Sequence, residues 1–141
     1  MYTTYFLNLV AGNVMKTKTS PALPGKLFLG LSNTAPALDG SGVTEPVSGG
    51  YRRVELTNLS TPENGVVTNS KPIYFDESTE SWGLVTHYGV FDAESGGNLL
   101  IYGELNPSHT VEESTIMTIR AESLKFTVGN SSVVSGGDEA E

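Results

Sequence analysis

The spacing of apolar and polar positions changes once along the chain. Between residues 2 and 15, apolar side chains at Tyr2, Phe6, Leu9, Val10 and Val14 recur at helical intervals, with Thr4, Asn8 and Gly12 four apart on the other side. That pattern predicts a short amphipathic helix. Lys16 and Lys18 follow it, where cations suit the negative end of a helix, and the Thr-Ser-Pro-Ala-Leu-Pro-Gly run at 19–25 cannot continue one. From Lys26 onward the signals are those of strands. KLFLGLSN (26–33) is an apolar run short enough to be a buried strand, with Gly30 marking a bulge or a close backbone approach. YRRVELT (51–57) alternates, with Val54 and Leu56 on one face and Arg53 and Glu55 on the other.

Asn64-Gly65 is a tight-turn signal ahead of Val66 and Val67, and KPIYFDE (71–77) alternates Ile73 and Phe75 with Tyr74 and Asp76. Pro72 places that strand at an edge or at its own start. WGLVTHYGVFD (82–92), the turn at 93–97 and NLLIYGEL (98–105) read as a hairpin, and STIMTIR (114–120) and LKFTV (124–128) complete about seven short strands. The expected fold is all-β, an antiparallel β-sandwich or jelly-roll-like domain at residues 20–129. It carries a short N-terminal α-helix and linker at 1–19, and residues 130–141 read as a disordered acidic tail.

Composition narrows the function classes. Sixteen acids against eight bases give a net charge of −8, which repels phosphate backbones and anionic lipid, so neither a nucleic-acid nor a membrane partner is expected. With no cysteine, thiolate metal sites, disulfides and cysteine nucleophiles are excluded by count. The apolar stretch at 5–11 has no cation before it, is interrupted by Asn8 and is too short for a transmembrane helix.

The side chains that could carry chemistry are dispersed. His87 and His109 are the only histidines and lack the i, i+4 spacing of a zinc-binding pair. There is no Gly-x-Ser-x-Gly elbow and no nucleotide-binding glycine pattern. Asp39-Gly-Ser-Gly-Val-Thr-Glu45 lacks the oxygen-bearing positions of a calcium loop and reads as a Gly-rich turn within the long connection from Thr34 to Gly50. No catalytic residue, metal or cofactor is predicted. Among the aromatics Tyr51, Tyr74, Trp82, Tyr88 and Tyr102, core packing is the default role, with Trp82 the candidate ligand contact because it follows a polar run.

Four motifs carry a family resemblance: LFLGLSNTAP (27–36), TEPVSGGYRRV (44–54), WGLVTHYGVFDAESGGNLLIYGEL (82–105) and VEESTIMTIRAESLKFTV (111–128). Together they resemble a family of small tailed-bacteriophage virion proteins, the tail-fibre or Gp80-like domains. The resemblance implies a non-enzymatic virion structural protein, an accessory component of the tail or its fibres that contacts other phage virion proteins and assembles as an oligomer; the surplus apolar residues of the helix point to a homo-oligomer, a closed ring or trimer. The alternatives are a capsid decoration or collar protein and, from another class, a module binding a host-surface glycan. Candidate interface residues are Tyr5, Phe6, Leu9 and Val10 on the helix, more apolar surface than one small core can hide, and Tyr51, Arg52 and Arg53 beside the Gly-rich loop.

Overall fold

The computed structural model of the chain describes residues 1–17 and 21–129. Lys18 and the acidic stretch at 130–141 lie outside the described residues. The secondary structure is one helix followed by eight short strands, all paired antiparallel where the register is defined: α1 (Thr4–Met15), β1 (Phe28–Ser32), β2 (Val54–Glu55), β3 (Val66–Thr68), β4 (Ile73–Tyr74), β5 (Gly83–Phe91), β6 (Leu99–Val111), β7 (Thr118–Ile119) and β8 (Lys125–Thr127). The protein is therefore all-β with a short N-terminal helix. The strands form a four-stranded sheet in the order β2-β1-β5-β6 and two pairs, β3-β8 and β4-β7.

By contact density the chain divides into two compact units, one made of Met1–Leu56 with Tyr74–Met117, the other of Thr57–Ile73 with the chain from Thr118. The first unit holds the four-stranded sheet. Its centre is β1 against β5, with Phe28 opposite Phe91, Gly30 opposite Gly89 and Ser32 opposite His87. Leu29, Leu31, Val85, Val90, Leu100 and Val111 are fully buried here, each contributing about 1.5–3 kcal/mol of burial. The β5–β6 hairpin closes through Asp92, whose carboxylate accepts from the backbone N–H of Asn98 at 2.7 Å and from its side-chain amide at 3.0 Å.

β6 runs on through Asn106 and Pro107 to Val111, where the sequence reads as a loop, and is the longest strand. Proline is tolerated because the ladder is interrupted there: Val85 pairs with His109 and His87 with Glu104, so Thr86 faces the excursion from Leu105 to Ser108. A residue without an N–H forfeits no ladder bond at such a bulge. His109 is thus a strand residue, although an exposed one. Gly30 sits in regular register rather than at a bulge, and it is the close approach that requires glycine.

The N-terminus joins the same sheet. Tyr2 bridges Ile101 on the outer edge of β6, Thr3 N–H donates to Leu100 O at 2.9 Å, and Tyr102 N–H donates to Met1 O at 2.9 Å. Thr3, fully buried, caps α1 by accepting from Phe6 N–H at 3.2 Å, and its hydroxyl reaches the carbonyl of Leu99 at 2.8 Å. Lys16, in the left-handed conformation, ends the helix with its N–H on Gly12 O. This anchorage sets the helix rotation. Leu9 and Gly12 face inward and Val14 faces out, so the apolar face differs from the one expected from spacing alone.

In the second unit Asn64-Gly65 forms the expected two-residue turn, both residues at positive φ and Glu63 paired with Val66 on either side. Asn69 organises the unit from a fully buried position. Its amide N–H groups donate to Lys71 O and Arg120 O, both at 2.9 Å, and its Oδ1 accepts from Leu124 N–H at 3.0 Å.

Candidate functional site

Along YRRVELT Arg52 points outward and Arg53 inward, and burial departs from the expected alternation, because Arg53 and Leu56 are both buried while Glu55 is exposed. The Arg53 guanidinium forms a two-toothed pair with Glu45, Nε to Oε2 at 2.9 Å and Nη2 to Oε1 at 2.7 Å, and donates through Nη1 to the carbonyls of Ala93 and Gly96 at 2.8 Å. It also lies 3.5 Å from the centre of the Phe91 ring. The Tyr51 hydroxyl donates to Glu45 Oε2 and accepts from Leu31 N–H at 2.9 Å. Burial first, and then the hydrogen bond to Glu45, push the Tyr51 hydroxyl pKa well above its ordinary value. Gly30 leaves the room for this cluster, because a Cβ there would stand 2.8 Å from Glu45 Oε2, 2.8 Å from the Tyr51 hydroxyl and 3.0 Å from Phe91.

This arrangement ties the long Gly-rich loop to the sheet and commits Arg53, a candidate interface residue, to partners within its own chain. Arg53 is buried, with every contact internal, because a guanidinium so placed satisfies two backbone carbonyls that burial would otherwise leave without donors. Tyr51 is half-buried and equally committed. Arg52 alone of the three is exposed, pairing through Nε with Asp76 Oδ2 at 2.6 Å.

Trp82, the candidate ligand contact, is also largely buried. Only 4% of it is exposed, its indole N–H donates to Gly49 O at 2.9 Å, and its ring meets Tyr51 and Phe75 edge-on. It packs the loop end, and its small exposed part borders a second cleft lined also by Asn33, Thr44, Pro46 and Ser81. The most exposed aromatic among the described residues is Tyr74, at 61%, which alternation along 73–75 turns outward while Ile73 and Phe75 turn in.

On α1, Leu9 is buried within its own chain, Phe6 and Val10 are half-buried, and Tyr5 stands at the surface. Phe6 stacks on Tyr2, ring centres 5.4 Å apart. The outward stripe is a different set, Leu7, Ala11 and Val14 at i, i+4, i+7 with Met15 beside them. Leu7 is 53% exposed, Val14 68% and Met15 74%. Spacing identified the helix as apolar on more than one side but could not say which side the fold would use. No residue of α1 is charged.

A half-open cleft of about 300 Å³ lies along β2, lined by Lys26, Phe28, Arg52 and Arg53 ahead of the strand, Val54 and Glu55 in it, and Tyr74, Asp76 and Glu94. Among the described residues, no group of three histidines and carboxylates is placed to hold a metal ion. None of the described helices is long and apolar enough to cross a membrane.

Comparison with protein families matches residues 2–127 to Gp80, the podophage GP4 fiber I protein gp80. The chain belongs to the Gp80 family. A search of curated proteins found no match. The match spans α1 and every described strand, so the helix lies within the matched region as the sheets do. Gp80 is a family of phage fibre proteins, and membership in it implies a virion component.

Proposed function

We propose that this Gp80 protein is a non-enzymatic structural subunit of the phage tail or its fibres, bound to other virion proteins and working as a homo-oligomer whose copies meet through α1. Residues 20–129 form the body of the subunit. The observation that carries the reading is the outward stripe of Leu7, Ala11, Val14 and Met15 on an uncharged helix, in a member of a phage fibre family. An uncharged helix that buries one face and still exposes an apolar stripe on another marks an interaction surface. Because the chain carries a net charge of −8, two copies repel across most surfaces, and a helix free of carboxylates is where they approach at least cost. Covering Leu7 and Val14 is worth about 1.5–3 kcal/mol per fully buried side chain. A closed ring or trimer repeats that gain at every contact.

Deleting the helix would be a poor test, since Met1–Thr3 also pair with β6. The test is sedimentation velocity of the full chain beside a Leu7→Asp, Val14→Asp variant. A wild-type oligomer and a monomeric variant of unchanged melting temperature are expected. A wild-type monomer at about 50 μM, or a variant that stays assembled, overturns the reading.

A further inference from the structure

We infer that the exposed cations Lys71, Arg120 and Lys125 of the second unit form a docking surface for a short acidic peptide segment of another virion protein. The inference rests on the reading that the subunit is bound to other virion proteins, and adds a place and a chemistry to it. In a chain of net charge −8, the described part of this unit holds those cations against only Glu63 and Glu122. One buried side chain brings them together. Asn69 donates its amide N–H groups to the carbonyls of Lys71 and Arg120, both at 2.9 Å, and its Oδ1 accepts from Leu124 N–H at 3.0 Å, one residue ahead of Lys125. The Asn69 carbonyl also accepts from Glu122 N–H at 2.7 Å, while Ser123 N–H closes the turn on Arg120 O at 3.1 Å. Segments distant in sequence are thereby fixed about one amide, so the backbone beneath the cations needs little ordering when a partner arrives.

Pairing separates these cations from the others. Among the described residues the ion pairs are Lys26 with Glu55, Arg52 with Asp76 and Arg53 with Glu45, and Lys71, Arg120 and Lys125 enter none of them although all are exposed. Glu122, exposed in the same turn, enters none either, so the local charge stays positive. The sign selects an anion, and its form follows from the rest of the chain. A nucleic acid or an anionic lipid surface extends far beyond the cluster and meets the field of a chain at −8. A segment of a few residues feels mainly the charges within a Debye length of about 10 Å. A lone phosphate is held best in a concave site with convergent donors, whereas these side chains leave from separate segments at an exposed surface. Carboxylates spaced along a peptide can meet them one by one, and the Arg120 guanidinium can take one of them on two N–H groups.

The test is a titration of the full-length 15N-labelled protein, followed by amide chemical shifts, with a capped Gly-Asp-Glu-Asp-Glu-Gly peptide and its Asn/Gln counterpart. Inorganic phosphate and phosphatidylglycerol vesicles serve as competing anions. The acidic peptide is expected to shift the amides of Lys71, Arg120 and Ser123–Lys125 with a Kd of roughly 1 mM at low salt, as suits a few exposed ion pairs. Its affinity should fall at least threefold between about 20 and about 200 mM salt. Lys71→Ala with Lys125→Ala is expected to weaken binding at least fivefold, and Arg120→Gln alone at least twofold, with both variants keeping the wild-type spectrum elsewhere. The oligomer comparison at α1 and the place of the chain on the particle are read separately, so failure here leaves that reading standing, and failure of that reading leaves the peptide response measurable. No response to the acidic peptide at about 10 mM, an equal response to the Asn/Gln peptide, a stronger response to phosphate or the vesicles, or an undiminished response in both variants overturns the inference. So does a shift of the same amides when Asp138, Glu139 and Glu141 are replaced by Asn and Gln, which would give the surface to the chain's own carboxylates.

Discussion

Arg53 and Glu45 illustrate how far single residues can be read in advance. Alternation groups Arg53 with Glu55 opposite Val54 and Leu56, and nothing in the sequence says that Arg53 turns inward together with Leu56, or that a carboxylate eight residues earlier receives it. Removing the guanidinium leaves the Glu45 carboxylate and the carbonyls of Ala93 and Gly96 without their donor. Arg53→Ala should therefore cost about 3–5 kcal/mol, seen as a melting temperature lower by roughly 10 °C. Arg53→Lys should recover little, since an ammonium cannot reproduce the fork. Gly30→Ala, which crowds the same cluster, should cost about 1–3 kcal/mol in urea unfolding. Tyr51 adds a pH dependence. Its pKa is raised in the folded state by burial and then by Glu45, and that of Tyr88 is raised by burial and then by the neighbouring Tyr2. The unfolded chain therefore loses these protons first. Stability is full below about pH 10 and falls above it, by up to about 1.4 kcal/mol per pH unit for each such tyrosine. Urea midpoints at pH 9 and pH 11 should show a loss that Tyr51→Phe reduces; an equal loss in the variant would contradict this account.

At the scale of elements, existence and type were legible, whereas ends and orientations were set by partners. The hairpin β5–β6 and the Asn64-Gly65 turn rest on local signals, alternation and positive-φ residues, and both appear where the pattern puts them. STIMTIR shrinks to Thr118–Ile119, and β6 outruns its expected end because a bulge accommodates Pro107. The rotation of α1 could not be read, since it follows from Met1–Thr3 pairing with a strand about a hundred residues away. Thr3 joins the two, capping the helix and binding Leu99 O from a buried site. Thr3→Val should therefore lower stability by about 1–2 kcal/mol. It should also raise amide hydrogen exchange across Thr4–Met15 well before the β1–β5 pairing opens; uniform exchange in both elements would show that the cap does not hold the helix separately.

For the whole molecule, the all-β class and the fibre family were both legible, the first from turn spacing and the second from long motifs such as the run at 82–105. The candidate contacts were less so, because exposure depends on the assembled fold. Trp82 and Arg53 turned inward, whereas Leu7, Val14 and Tyr74 turned out. Net charge makes a prediction at this scale. Copies of a chain at −8 repel through solvent while an apolar α1 contact is insensitive to screening, so raising salt from 20 to 200 mM should strengthen self-association in sedimentation equilibrium. Weakening over the same range would point to an interface built on ion pairs instead. The central claim, a structural subunit of the tail or its fibres, is tested most directly by immunogold electron microscopy of intact phage particles with antibodies to this chain. Gold confined to the tail and its fibres is the predicted result, and regular labelling over the capsid lattice would contradict it.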